Sequence, residues 1–481
     1  MNDRDLSKQV ASGLFWKFGE RIIAQGVSFV ISIVLARILL PEEYGLISLV
    51  LIFINIANVF VTNGLGEGLI QKQDATETDF STMFFCGFGF SAVIYLFLFI
   101  SAPAIASFYN NPDLTNVLRV LSLQVPLSSV KTIQHAYVSK HMMFKKFFFS
   151  TLGGTIISGV IGIIMAYNGF GVWSLVEQYL VNSLIDMTVL FITVNWRPKF
   201  VFSRESAKSL LSYSWKLLVA GLINTIYAEA RNLVIGRVYT ESDLAYNTKG
   251  NQFPTLIVTN IVASISSVLF PAMAKVNDDM DAVKAVTRRS MKVTSFVIFP
   301  MMIGLMAIAE PLVRVLLTDK WLGCVPFLRI ACVYWMFQPL LSANAQAINA
   351  VGRSDLSLKK EIAKKTIGFG LILATMRISV YVLAISNAIF AMISSIIDIY
   401  YTRKVLKYGY RDQFKDVFPA LLIALVMGVT VFFLSYIKIS PLLQMILQVI
   451  LGGSIYVGLS YLFKIDSLQY VLALIKKYKK I

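Results

Sequence analysis

Residues 28–60 of the chain read SFVISIVLARILLPEEYGLISLVLIFINIANVF. Two apolar runs stand on either side of the short polar turn PEEYG at residues 41–45. A helix needs about 20 mainly apolar residues to cross about 30 Å of hydrocarbon at 1.5 Å per residue. With the residues that flank it, this stretch predicts two membrane-spanning helices, near residues 14–39 and 44–64.

The composition of the whole chain agrees with this local pattern. The 481 residues are 57% hydrophobic and only 15% charged, and the mean hydropathy is +0.69. Soluble domains carry about 25% charged residues. Too few polar side chains are present to cover a water-soluble fold of this size. The composition therefore predicts an integral membrane protein and argues against a soluble enzyme.

Fourteen stretches are long and apolar enough to cross a membrane. They lie near residues 14–39, 44–64, 82–108, 117–137, 147–166, 171–195, 209–238, 246–274, 293–317, 326–350, 362–378, 379–402, 417–437 and 442–463. The predicted fold class is an all-α integral membrane protein with about 14 transmembrane helices. The loops between them leave no room for a soluble catalytic domain, which disfavours a membrane glycosyltransferase or a polysaccharide polymerase.

The basic residues set the predicted orientation, because positively charged loops stay on the cytoplasmic side. Of the 44 lysines and arginines, the odd-numbered loops hold only Lys320, Arg377 and Lys438. The tails and even-numbered loops carry basic clusters, which predicts that both termini are cytoplasmic. The net charge of +17 is then a consequence of topology and not a nucleic-acid footprint. The basic tail at residues 476–480 is one more such flank, or a contact for anionic lipid.

An internal repeat divides the predicted helices into two lobes. The first helix begins with Trp16-Lys17, and this pair recurs as Trp215-Lys216. The same helix ends in LAR at residues 35–37, which recurs as IGR at residues 235–237, so the offset is 199 to 200 residues. Six helices separate equivalent points, so both halves enter the membrane in the same direction. We predict an N-lobe at 1–208, a C-lobe at 209–402, and two appended helices with a basic tail at 403–481.

Ionisable side chains inside the predicted spans point to function, because a charge at the bilayer centre costs about 2.5 to 3.5 kcal/mol. The cations that we expect to face a cavity and contact an anionic cargo are Arg21, Lys131, His135, Lys216 and Arg231. The polar side chains that we expect to line it are Asn55, Gln124, Ser128, Gln252, Gln338 and Asn349. The candidate coupling acids are Glu20, Glu177, Asp186, Glu229 and Asp398.

Helix 4 carries the clearest polar stripe. Its polar residues recur at helical spacing, at Gln124, Ser128, Lys131 and His135. Pro126 is expected to kink the helix. The stripe is either a water-filled path or a polar seam that bonds a neighbouring helix. For each coupling acid, a salt-bridged packing role is an equal alternative to proton or sodium coupling.

No motif for catalysis, metal binding or a disulfide framework is present, and no cofactor is expected. The three cysteines fall within or beside apolar runs. A cation-rich interior between two repeated lobes instead favours an anionic cargo that is moved by alternating access, with Na⁺ or H⁺ as candidate coupling ions.

Several segments resemble the polysaccharide transporter family of the multidrug, oligosaccharidyl-lipid and polysaccharide exporter superfamily. They are SGLFWKFGERIIAQG at 12–26, VLARILLPEEYGLISL at 34–49, NGLGEGLIQKQD at 63–74, FKK at 144–146, GFGVWSLVEQYL at 169–180 and NAVGRSDLSLKKEIAKK at 349–365. One departure is Met376-Arg377-Ile378, where relatives usually have a glycine-rich turn before helix 12.

The resemblance implies a V-shaped flippase of the bacterial cytoplasmic membrane that moves an undecaprenyl-pyrophosphate-linked oligosaccharide to the outer leaflet. It places the pyrophosphate against the cavity cations, and it suggests the polymerase and glycosyltransferases of the same pathway as candidate partners. The alternative is a multidrug or small-solute cation antiporter on the same fold, which predicts a pocket dominated by acidic residues.

Overall fold

The computed structural model describes residues 3–62, 65–276, 278–437 and 439–469. Across these residues the regular structure is helical and contains no strand. The helices are α1 (Asp3–Ile38), α2 (Pro41–Thr62), α3 (Leu65–Gln71), α4 (Glu77–Tyr109), α5 (Asp113–Leu121), α6 (Gln124–Lys140), α7 (Lys145–Tyr167), α8 (Val172–Thr193), α9 (Arg204–Val238), α10 (Glu241–Ala274), α11 (Met280–Ala307), α12 (Ala309–Leu316), α13 (Cys324–Met336), α14 (Gln338–Ala350), α15 (Ser354–Thr375), α16 (Val380–Leu406), α17 (Tyr410–Phe433) and α18 (Pro441–Leu462). The predicted all-α membrane fold is confirmed.

Ten helical segments in the described part of the chain are long and apolar enough to cross a membrane. They coincide with ten of the fourteen predicted spans. The other four predicted spans are also helical but do not belong to those ten segments. They are the spans at 117–137, 209–238, 246–274 and 362–378. The protein is a multi-pass membrane protein, and the count of fourteen spans stays a prediction.

Two predicted spans are each divided into two helices, and in both a proline lies just after the division. The segment at 117–137 forms α5 and α6, with residues 122–123 between them and Pro126 near the start of α6. A proline ring clashes with the carbonyl four residues earlier, here that of Ser122. The expected effect of Pro126 is therefore a break just before it. α13 and α14 are separated in the same way, with Pro339 as the second residue of α14.

The first compact unit is Met1–Leu244. Its most extensive packing joins α7 to α8. Gly154 permits this contact, because a Cβ there would lie 3.0 Å from the backbone oxygen of Asn182. α9 also belongs to this unit and packs against α2, α3 and α4.

The second compact unit is Ala245–Ile481. The appended helices are attached to it through α11, which packs extensively against α17. A buried carboxylate links the two: Asp416 accepts two hydrogen bonds from Arg288, at 2.6 and 2.8 Å, and one of 2.8 Å from the Tyr408 hydroxyl. Asn344 and Gln413 add a reciprocal pair of side-chain hydrogen bonds at 2.9 and 3.0 Å.

Helix boundaries recur at the offset of the proposed repeat. α1 ends at Ile38 and α9 at Val238, and α2 begins at Pro41 and α10 at Glu241. The two compact units are divided at residue 244, after α9, whereas the repeat divides the chain at 208, within the start of α9. The lobe boundaries drawn from the repeat stay predictions.

Candidate functional site

The polar stripe of α6 faces an acid on α8. Lys131 Nζ lies 3.0 Å from Asp186 Oδ2, and His135 Nε2 lies 3.8 Å from the same oxygen. The side chain of Asp186 is 6% exposed and that of Lys131 is 26% exposed. Two predicted cargo-contacting cations and one predicted coupling acid are thus brought together in a single cluster. In this state the charge of Lys131 is compensated by Asp186.

The rest of the stripe also reaches α8. The amide nitrogen of Gln124 donates to the Ser183 hydroxyl at 3.3 Å, and Ser128 is buried. The amide oxygen of Gln124 has no hydrogen-bond partner in the structure. Of the two alternatives for this stripe, the bonded polar seam accounts for these contacts, while the roles of Lys131 and His135 towards a cargo stay predictions.

The remaining predicted cations of the first unit lie on α1 and α9. Arg21 in α1 and Arg231 in α9 are half-buried, and Lys216 in α9 is exposed. Beside Arg21, Glu20 accepts a hydrogen bond of 3.0 Å from the Thr151 hydroxyl of α7. Glu177 in α8 is half-buried, and its Oε2 has no hydrogen-bond partner.

Glu229 of α9 has amide partners and not a basic one. Its two carboxylate oxygens accept from Asn55 Nδ2 of α2 at 3.0 Å and from Asn232 Nδ2 at 3.2 Å. A predicted lining residue and a predicted coupling acid therefore bond to each other.

The predicted lining residues of the second unit are Gln252 on α10, Gln338 on α14 and Asn349 on α14. Gln252 Oε1 accepts a hydrogen bond of 3.2 Å from Lys249, a buried lysine of the same helix. Asn349 is exposed and accepts from the Ser357 hydroxyl at 2.8 Å, and Gln338 is half-buried.

Asp398 has two lysine partners that the sequence did not lead us to expect. Lys364 Nζ lies 2.7 Å from Asp398 Oδ2, and Lys360 Nζ lies 3.4 Å from Oδ1. Both lysines belong to one of the basic clusters, Lys359, Lys360, Lys364 and Lys365, that the loop count attributes to an even-numbered loop. The available signal was their spacing of four, which places Lys360 and Lys364 on one face of α15, whereas the neighbouring Lys359 is exposed.

The GRSD segment of the family resemblance forms the turn between α14 and α15. Gly352 has φ +75°, in the left-handed region. Arg353 donates two hydrogen bonds of 2.9 Å to Asp355. The Arg353 guanidinium holds the pKa of the Asp355 carboxyl at about 2. Gly352, Arg353 and Asp355 thus have a local structural role at this turn.

Among the residues that the structure describes, no group of three or more His, Cys, Asp and Glu side chains could hold a metal ion. The three cysteines are free. What the geometry offers is a set of compensated charges between membrane helices. Such pairs can exchange one partner for an anionic or cationic ligand, which is chemistry for binding and transport.

Comparison with known proteins gives a family match over residues 34–326, to the family described as polysaccharide biosynthesis protein. Three curated relatives are similar along most of the chain. The succinoglycan biosynthesis transport protein ExoT of Rhizobium meliloti is 27% identical over 67% of this chain, and the match spans 65% of ExoT, just under two thirds of its length. The teichuronic acid biosynthesis protein TuaB of Bacillus subtilis is 24% identical over 89% of this chain and 90% of its own. The lipopolysaccharide biosynthesis protein WzxC of Escherichia coli is 27% identical over 75% of this chain and 73% of its own.

Solved structures share the fold. The inward closed conformation of the lipid II flippase MurJ matches with a TM-score of 0.77, at 15% identity, over 95% of this chain and 99% of MurJ. An inward-facing multidrug resistance transporter of the MATE family, in the MOP superfamily, matches with a TM-score of 0.61, at 15% identity, over 80% of this chain and 94% of its own. At this level of identity the likeness concerns the fold alone.

Proposed function

Because the chain belongs to the polysaccharide biosynthesis protein family, we propose that it flips a lipid-linked oligosaccharide across the membrane for the synthesis of a surface polysaccharide. The observation that carries the proposal is the family match over residues 34–326, which is more than half of the chain. The names of three relatives support it: ExoT is a succinoglycan biosynthesis transport protein, TuaB a teichuronic acid biosynthesis protein and WzxC a lipopolysaccharide biosynthesis protein.

The cargo in this proposal is an oligosaccharide on an undecaprenyl-pyrophosphate carrier. Its diphosphate is attracted to the basic side chains at Arg21, Lys131, His135, Lys216 and Arg231. Arginine binds such groups through two parallel hydrogen bonds, and lysine acts as a point charge. Lys131 reaches the diphosphate only by leaving Asp186, so cargo binding and rearrangement of the α6–α8 cluster are coupled.

The transporter works in the bacterial cytoplasmic membrane with both termini in the cytoplasm. It moves its cargo without modifying it, and the flow is driven by Na⁺ or H⁺. The polysaccharide polymerase and the glycosyltransferases of the same pathway are its partners. The distribution of basic residues between odd and even loops supports this orientation.

A multidrug or small-solute antiporter shares the fold but is not favoured. It would need a pocket dominated by acids, and the acids Asp186 and Asp398 are both held by lysines. Three relatives that match by sequence, ExoT, TuaB and WzxC, are named for the biosynthesis of succinoglycan, teichuronic acid and lipopolysaccharide.

Deletion of the gene tests the proposal in the cell. The flippase predicts loss of a surface polysaccharide, restored by the wild-type gene, with unchanged sensitivity to cationic drugs. As a site test, Arg21→Ala combined with Lys131→Ala should abolish the polysaccharide while the protein level holds. Drug hypersensitivity with a normal polysaccharide would reject the flippase in favour of the antiporter.

A further inference from the structure

The cluster of Lys360, Lys364 and Asp398 in the second unit holds more positive than negative charge. Lys360 is 3% exposed and Asp398 is fully buried. Lys364 is satisfied by a 2.7 Å bond to Asp398 and lies 3.5 Å from Glu361, whose side chain is half exposed. With both lysines protonated, two cations share one buried carboxylate.

Lys360 is the weakly held member. Its ammonium is 3.4 Å from Asp398 Oδ1, but neither atom has a hydrogen-bond partner in the structure. One turn to either side of Asp398, the buried hydroxyls of Ser394 and Thr402 also lack partners. Several orphaned polar atoms therefore lie along one face of α16, beside a lysine that water barely reaches.

Besides Asp398, the acid that acts on Lys360 in the described part of the chain is Glu361 of the same helix, which is half exposed and lies 3.5 Å from Lys364. α14, which packs against α15, has no ionisable side chain. α11, α13 and α17 pack against α16, but the described ion pairs of their side chains do not reach this cluster. An uncompensated buried charge is costly, and a lysine relieves that cost by losing its proton.

We propose that Lys360 is the proton-exchanging group of the transporter, with Asp398 and Lys364 holding it in a buried, like-charged setting. In the state described here Lys360 is neutral, and it takes up a proton when the α15–α16 contact opens to water. The bond that forms is N–H on Nζ, and the proton comes from and returns to water on either side of the membrane. The inference rests on the proposed function for its transport role, but the protonation itself does not.

The protonation is measured without cargo, in purified full-length protein that carries lysine labelled with ¹³C at Cε. The NMR signal of Lys360 is assigned by its disappearance in Lys360→Met. It should change from the protonated to the neutral position well below pH 10, against about 10.4 for an ordinary lysine. The exposed neighbour Lys359, assigned with Lys359→Met, is the matched control. A Lys360 signal that stays protonated up to pH 10 overturns the proposal.

The transport role is measured in proteoliposomes that hold polyprenyl diphosphate N-acetylglucosamine under an imposed pH gradient. Wild type and Lys359→Met should flip this lipid faster with the gradient than without it. Lys360→Met and Lys360→Arg, one without charge and one charged at every pH, should both lose that acceleration. If Lys360 serves only as a salt bridge, Lys360→Arg restores the acceleration, and the proposal fails. Titration of Lys360 without any flipping would refute the proposed function and leave the proton site standing.

Discussion

Replacing Asp186 by asparagine should destabilise the first unit less than replacing its partner Lys131 by methionine. In the first variant Lys131 loses its counter-ion but remains 26% exposed, so water can solvate the ammonium. In the second variant Asp186, which is 6% exposed, keeps its charge without the lysine. Removal of one partner from a buried pair typically costs 3–5 kcal/mol, and solvent exposure reduces this.

The expected losses in unfolding free energy follow from these exposures. They are about 1–2 kcal/mol for Asp186→Asn and about 3 kcal/mol for Lys131→Met, where His135 at 3.8 Å partly replaces the lysine. The double variant removes both charges and should be less destabilised than the sum of the single variants by about 2 kcal/mol. The measurement is a double-mutant cycle of unfolding in detergent, followed by tryptophan fluorescence.

The same double variant separates folding from function. If Lys131 contacts the cargo, Lys131→Met with Asp186→Asn should fold but fail to restore surface polysaccharide. The matched control is the exposed pair of Lys199 and Glu77, with side chains 65% and 63% exposed, whose neutralisation should change stability by less than about 1 kcal/mol and leave export intact. Additive losses in the cycle would refute the coupling, and full export by a stable double variant would refute the role of Lys131.

Two further substitutions test the packing. Asp416→Ala should lower the unfolding free energy by about 3 kcal/mol in detergent, because the buried Tyr408 hydroxyl and Arg288 lose their acceptor. A loss below about 1 kcal/mol would show that this carboxylate does not hold α17 on α11. Gly45→Ala should lower the unfolding free energy by about 1–3 kcal/mol, because its Cβ would lie 2.1 Å from the Glu241 carbonyl oxygen. The control Gly89→Ala, with open space around the new Cβ, should be neutral or stabilising. Equal melting temperatures for the two variants would contradict the close approach at Gly45.

Hydropathy alone predicted the helical membrane fold, because lipid demands long apolar helices whatever the rest of the chain does. The break before Pro126 was nearly predictable as well, since a proline acts on a carbonyl only four residues away. The resemblance in residues 34–49 and 349–365 indicated the family, and the family match covers the first of these segments.

Tertiary pairing was not predictable from local pattern. Lys131 meets Asp186, which lies 55 positions later on another helix, and nothing in either helix specifies the other. A loop count of basic residues gave no indication that Lys360 and Lys364 pack against Asp398, because it ignores which helix face each residue occupies. The fold resolved this by packing that face of α15 against α16.

Flipping itself is tested most directly in liposomes that contain the purified chain and a fluorescent undecaprenyl diphosphate-linked sugar, with a quencher that cannot cross the bilayer. Without protein, only the lipid of the outer leaflet is quenched. The proposed function predicts that the protein also brings the inner-leaflet pool to the quencher, while a fluorescent lipid without the sugar diphosphate stays protected. Quenching identical to that of protein-free liposomes would contradict the account.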